Sequence, residues 1–214
     1  MSIAVIADIV GSRLLDDRSR TQARIEAAMS EVDRELPVAV SPMRATFADE
    51  FQAVFDDLDD ALAWLLLLQL ALPDEASLRF GLGIGAVGPV DSASTGISDG
   101  PGWWRAREAI EQVHGMQDRA VPRARTRIVG GDEEDVAMAD RIRFANAYAL
   151  VRDELVGAMS ERARRLVYGR CLGRTQGALA KDEGVTQSAV SQLLASSGAP
   201  AVIAGYTALR ERAR

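Results

Sequence analysis

A chain of 214 residues, 48% hydrophobic and 26% charged, has the composition of a folded globular protein rather than a disordered or fibrous one. Its single cysteine, Cys171, and single histidine, His114, exclude an internal disulfide framework and a Cys/His zinc site. The net charge of −6 is unevenly placed: residues 1–157 carry 16 basic and 27 acidic side chains, whereas residues 158–214 carry 9 and 4.

Ile3-Ala4-Val5-Ile6-Ala7 is a short apolar run ending at Asp8 and reads as a buried strand. Met1-Ser2-Ile3 has no basic n-region of a secretory signal, and the longest apolar run, 61–72, is too short to span a bilayer, so a cytoplasmic protein with no membrane partner is expected. Residues 17–36 space Ala23, Ile25, Ala28, Met29, Val32 and Leu36 as a helix does, and Pro37 stops it. Two β-prone segments, 38–47 and 51–55, flank the turn Ala48-Asp49-Glu50 and predict a hairpin. Residues 58–72 form a strongly apolar helix closed by Pro73. From Arg79 to Val87 glycine alternates with apolar residues, the pattern of a strand that another backbone approaches closely. A loop over 88–102, a helix over 103–113, a polar, mobile stretch over 115–125 and a strand at Arg127-Ile128-Val129 are expected next. A long helix over 135–159 and shorter ones over 160–195 follow.

The order β-α-β-β-α-β over residues 3–88 is that of a ferredoxin-like sheet. A right-handed crossover leaves a gap between the first two strands, and the third fills it running the other way. Asp8 then lies beside the turn carrying Asp49 and Glu50. Carboxylates converging at a sheet edge supply the oxygen ligands of a hard divalent cation, with positions left for water and phosphate. Ile9-Val10-Gly11-Ser12-Arg13 follows Asp8 and leads into the first helix. Backbone N–H groups at Gly11 and Ser12, the Arg13 guanidinium and a nearby helix N-terminus would together favour a triphosphate. As structure alone, Asp8 is a turn or cap residue and Asp49-Glu50 an exposed hairpin turn.

Asp8-Ile9-Val10-Gly11-Ser12 and Phe47-Ala48-Asp49-Glu50-Phe51 resemble the metal-binding motifs of the palm domains of class III nucleotidyl cyclases and diguanylate cyclases. The resemblance implies that Asp8 and Asp49 or Glu50 hold Mg²⁺ (or Mn²⁺) on a nucleoside triphosphate, with the Ile9 carbonyl a further ligand. Asp99-Gly100-Pro101-Gly102-Trp103-Trp104-Arg105-Ala106-Arg107 resembles the cyclase segment ending in a transition-state arginine, which makes Arg107 the catalytic candidate. The set, with Arg79-Phe80-Gly81, is more similar still to the SatD family of bacterial proteins. The chain departs from the cyclases in having Trp103 in place of a ribose-binding asparagine and no lysine before Lys181 to read a base. Read as structure, Arg107 is a solvated helix charge or a partner of Glu111 at i+4, and Trp103-Trp104 are core or dimer contacts.

The basic tail carries a second signal. In Arg174-Thr175-Gln176-Gly177-Ala178-Leu179-Ala180-Lys181-Asp182-Glu183-Gly184-Val185-Thr186, Ala180 is small where two helices cross, Gly184 suits a positive-φ turn, Val185 plugs the corner and Thr186 caps the next helix. The segment resembles a helix-turn-helix of the sigma-region-4 type, which places Gln187, Ser188, Ser191 and Gln192 in base-reading positions. Arg174, with Arg162, Arg164, Arg165, Arg170 and Lys181, would contact phosphates. A helical bundle used for dimerisation would have the same apolar pattern.

Together these features predict an α+β chain: a ferredoxin-like palm domain over 1–132, a connecting helix over 133–157 and an all-α helix-turn-helix domain over 158–214. The expected function is a homodimeric bacterial DNA-binding regulator that takes a purine nucleoside triphosphate or related nucleotide with Mg²⁺. The alternative is an active nucleotidyl cyclase or cyclic-oligonucleotide synthase.

Overall fold

β1 (Ile3–Ile9) is the central strand of a five-stranded sheet. The structure is a computed structural model that describes residues 1–12, 15–46, 49–89, 98–131 and 134–211. After β1 come α1 (Arg18–Glu35), β2 (Ser41–Ala45), β3 (Glu50–Phe55), α2 (Leu58–Ala71), β4 (Leu78–Ile84), the short strands β5 (Gly88–Pro89) and β6 (Ser98–Asp99), α3 (Pro101–Gln117) and β7 (Thr126–Val129). β1 lies between β3 and β4, antiparallel to both, and β2 pairs on the outer side of β3. The third strand thus occupies the gap between the first and second. β7 adds to β4 in parallel, giving the order β2-β3-β1-β4-β7. The fold is α+β.

Alternation along β1 separates the two faces of the sheet. Ile3, Val5, Ala7 and Ile9 enter a large core with α1 and α2, while Ala4 and Ile6 meet Ala106 and Ile110 of α3. The glycine alternation of β4 explains how close α3 can come. A Cβ on Gly81 would stand 2.2 Å from the Ala106 carbonyl oxygen, and one on Gly83 would stand 2.0 Å from that of Gly102. Helix backbone therefore lies directly against strand backbone.

Among the described residues five helices follow: α4 (Val136–Gly157), α5 (Glu161–Cys171), α6 (Gln176–Asp182), α7 (Gln187–Ser196) and α8 (Ala199–Arg210). α2 packs against α1 and also against α5 and α8, so it has no wet side, which is why its sequence is apolar all round. One apolar core runs from β1 through α2 to Val190 and Tyr206. α4 does more than connect, because its Asn146 bonds the edge of β7. Asn146 Oδ1 accepts from the Ile128 N–H and Nδ2 donates to the Ile128 carbonyl, both at 2.9 Å. Behind it, Arg152 and Asp153 form an ion pair that is almost wholly buried, with Nη2 donating to Oδ1 at 2.8 Å.

Several boundaries differ from the sequence reading. α3 begins at Pro101, two residues early, because Gly100 and Pro101 start it. The expected loop over 88–102 contains the β5-β6 ribbon, and residues 90–97 lie outside the described set. The stretch expected to be mobile is held down: α3 runs on to Gln117, whose Nε2 donates to the Ala124 carbonyl at 2.6 Å, and the Arg125 N–H donates to Asp153 at 2.7 Å. α8 lies beyond the helices the sequence predicts. Among the described residues no helix is long and apolar enough to cross a membrane.

Candidate functional site

Register, rather than sequence distance, builds the first site. Asp8 of β1 stands opposite Glu50 of β3 on one side and Arg79 of β4 on the other. Directly opposed residues share a face, so the three form a row across adjacent strands, on the face that α3 covers. Arg79 Nε donates to Asp8 Oδ1 at 2.7 Å and its Nη1 to Gln117 at 3.2 Å. Arg107 reaches down from α3 and grips Glu50 with both Nη atoms, at 2.5 and 3.0 Å. These bonds hold the Arg107 guanidinium still more firmly protonated. Its partner is thus Glu50 across the sheet, not Glu111 one turn along its own helix. Gln52, next on the same face of β3, also donates to Glu50, at 3.0 Å.

Asp49 occupies the turn before β3, with Arg18 at 4.0 Å. Asp8, Asp49, Glu50 and Arg107 are therefore gathered at one end of the sheet, but Glu50 and one oxygen of Asp8 are engaged by arginines. Among the described residues no group of three or more His, Cys, Asp or Glu side chains could hold a metal ion on protein ligands alone. Arg79 was absent from the predicted site. Its signal was available: with Phe80, Leu82 and Ile84 facing the large core, strand parity puts Arg79 on the face of Asp8.

The expected phosphate cradle is only partly assembled. Ile9 ends β1 and is buried, Gly11 adopts φ +67° and is exposed, and Ser12 is half-buried. Arg13 lies outside the described residues. The helix N-terminus does not follow directly, because α1 starts at Arg18 and the Asp17 carboxylate already accepts from the Arg20 N–H at 2.9 Å. A capping carboxylate removes both a donor and much of the positive field an anion would meet there. Nearby, Trp104 is largely exposed with its indole N–H on Asp99 at 2.9 Å, and Trp103 donates to Ser98 at 3.1 Å.

The second site is in the tail. α6 and α7 are joined by a turn in which Gly184 has φ +64° and the Val185 N–H returns to the Ala180 carbonyl at 2.9 Å. Thr186 caps α7 by accepting from the Ala189 N–H at 3.2 Å. Val190 and Leu194 are buried, while Gln187, Ser188, Ser191 and Gln192 are all exposed. Arg174 is exposed and paired with Asp182. Among the basic residues expected to meet phosphates, Arg164 turns inward instead, to the Leu72 carbonyl at 3.0 Å and Asp74 at 2.8 Å. Arg165 and Arg162 are shared with Glu183, at 3.0 and 3.5 Å, and these contacts hold the Glu183 carboxyl below its ordinary range.

The family described as SatD matches residues 2–205 of this chain. Among solved structures, a Regulator of Polyketide Synthase Expression from Bifidobacterium adolescentis is matched at 15% identity and a TM-score of 0.24, over 100% of this chain and 82% of that one. No curated protein matches.

Proposed function

The chain belongs to the SatD family, and we propose that it is a DNA-binding regulator whose sheet binds a purine nucleotide with Mg²⁺. The observation that carries this reading is α7: a capped helix after a positive-φ glycine turn, apolar side buried and polar side free. Gln187 and Gln192 have the amide geometry that pairs with adenine, and Ser188 and Ser191 suit several base edges. Arg174, Arg170 and Lys181 would position the helix on phosphates. Four base-reading side chains make a short half-site, so two copies on a two-fold operator are expected.

On the sheet, Asp8 and Asp49 would hold the Mg²⁺ (or Mn²⁺) that accompanies a triphosphate and offsets its charge. Two carboxylates suffice because phosphate and water complete the shell. Arg107 would exchange Glu50 for a phosphate oxygen, coupling nucleotide to α3. The site's carboxylates are matched by arginines already, which favours binding and signalling over turnover. The enzymatic reading retains one support, the presence of Asp8, Glu50 and Arg107 on a single face; labelled product from any NTP, lost in Asp8→Ala, would establish it.

Random-site selection followed by gel shifts tests the proposal. Enrichment of one sequence is expected, with affinity falling steeply as salt rises. Gln192→Ala should relax specificity at one base position by about 1–3 kcal/mol, and Arg174→Ala should weaken all sequences alike. No enriched sequence and no salt dependence would remove DNA from the function. Mg-NTP should raise the melting temperature, and Asp8→Ala should abolish that rise.

A further inference from the structure

Between the sheet and the helices lies a cleft of about 220 Å³ that neither half of the proposed function uses. It is walled by Gln69 at the end of α2, Asp74 and Ser77 in the loop to β4, Arg123 and Arg125 before β7, Asp153 of α4 and Arg164 of α5. None of Asp8, Asp49, Glu50 or Arg107 lines it. Most of these charges are matched. Asp153 is held by the buried Arg152 at 2.8 Å, Arg164 by Asp74 at 2.8 Å, and Arg123 by Glu154 at 2.6 Å.

Arg125 is the exception. Its Nε donates to Ser77 Oγ and its Nη1 to the carbonyls of Pro122 and Ala124, each at 2.8 Å. Among the described residues its guanidinium makes no hydrogen bond to a carboxylate. A partly desolvated charge whose hydrogen-bond partners are all neutral is destabilising until a closer counter-charge arrives. Burial accordingly pushes the Arg125 pKa down, with Asp153 opposing.

Two side chains of the wall each carry a buried polar atom with no hydrogen-bond partner among the described residues. Gln69 is only 8% exposed, and its amide orientation is fixed because Nε2 donates to Asp153 at 2.9 Å; Oε1 is left unsatisfied. Arg164 Nε is unsatisfied too. The wall thus offers guanidinium donors, one of them hydrogen-bonded only to neutral groups, and a carbonyl acceptor that needs a hydrogen.

We infer that this cleft binds hydrogen phosphate, whose oxygens accept from Arg125 and Arg164 while its P–OH donates to Gln69 Oε1. Pockets for drug-sized ligands span roughly 300–1,000 Å³, so this one is suited to a phosphate group and too small for a nucleotide. Sulfate at neutral pH has acceptors but no hydrogen, and it leaves Gln69 Oε1 unpaired. Unsatisfied buried polar groups are what sites of this kind discriminate with. Because the walls come from α2, the β4 and β7 approaches, α4 and α5, an occupant ties the first tail helix to the sheet.

Isothermal titration of the full chain with inorganic phosphate, without Mg²⁺ or nucleotide, tests the inference. One saturable site is expected, with sulfate at least tenfold weaker. Arg164→Gln should weaken phosphate at least tenfold. Ser77→Asp places a carboxylate beside Arg125 without removing any packed group; it should abolish phosphate binding while keeping or raising the melting temperature. Asp8→Asn and Glu50→Gln, in the nucleotide site, should bind phosphate as the parent does. The inference fails if the parent chain shows no saturable heat, if sulfate equals phosphate, if Ser77→Asp binds unchanged, or if Asp8→Asn loses binding. None of these outcomes depends on whether the sheet binds nucleotide.

Discussion

Arg152 and Asp153 are neighbours in sequence and almost fully buried; Asp153 accepts from Arg152, Gln69, Thr126 and the Arg125 N–H, while Arg152 Nη1 has no hydrogen-bond partner among the described residues. Removing one member of such a pair leaves an uncompensated charge, so Asp153→Ala should cost about 3–5 kcal/mol in urea unfolding. Arg107→Ala removes a half-exposed partner of Glu50 and should cost at most about 1 kcal/mol, while taking away nucleotide binding. Cys171, in the tail, is dominated by desolvation. Its thiol is pushed up to about 12 from an ordinary 9.0 by desolvation. The fold therefore favours the protonated thiol; that contribution is whole below pH 9 and is lost as pH rises from there toward the folded value. Alkylation of the native chain at pH 8 should be far slower than in denaturant, as read by mass spectrometry. The sequence alone showed Asp8, Asp49 and Glu50 as a set, because strand order dictates their meeting. It did not show which arginine takes which carboxylate, since that depends on strand register and on the angle of α3.

At the level of elements, two glycines with opposite reasons for existing offer a paired experiment. Gly83→Ala would force a methyl into the backbone of α3, 2.3 Å from the Ala106 nitrogen as well as against Gly102. Such overpacking against main chain cannot be relieved by a rotamer change, and a loss of about 3 kcal/mol or more is expected. Gly184→Ala meets nothing within 4 Å among the described residues, and only its left-handed φ is costly, roughly 1–2 kcal/mol. Thermal melts should rank the two in that order, with Gly184→Ala weakening DNA binding more than its stability loss accounts for. Both roles were legible in the residues: alternation with apolar side chains at β4, and a lone glycine between α6 and α7. The β5-β6 ribbon was not, since two-residue strands have no period to read. α8 escaped because its small and apolar residues lack the polar contrast that marks a helix face.

For the molecule as a whole, the unbroken core predicts one unfolding event. Far-UV dichroism and tryptophan fluorescence, for which Trp64 in α2 is the buried reporter, should trace a single coincident transition. Separate midpoints would mean that the helices fold apart from the sheet. A chain ending after residue 157 should expose the leucine surface of α2 that α5 and α8 cover, and should aggregate. Division into palm, connector and tail follows the charge change along the sequence, but charge reports surface and says little about which helix covers α2.

Asn146 has a consequence for assembly. By giving Ile128 a donor and an acceptor it imitates the strand that would otherwise continue the sheet past β7. The other border, β2, contains Pro42 and a register shift between Ser41 and Arg44, both of which interrupt the ladder an incoming strand would need. Two copies of this chain should therefore meet through helices, leaving polymerisation by edge-to-edge growth blocked at both margins.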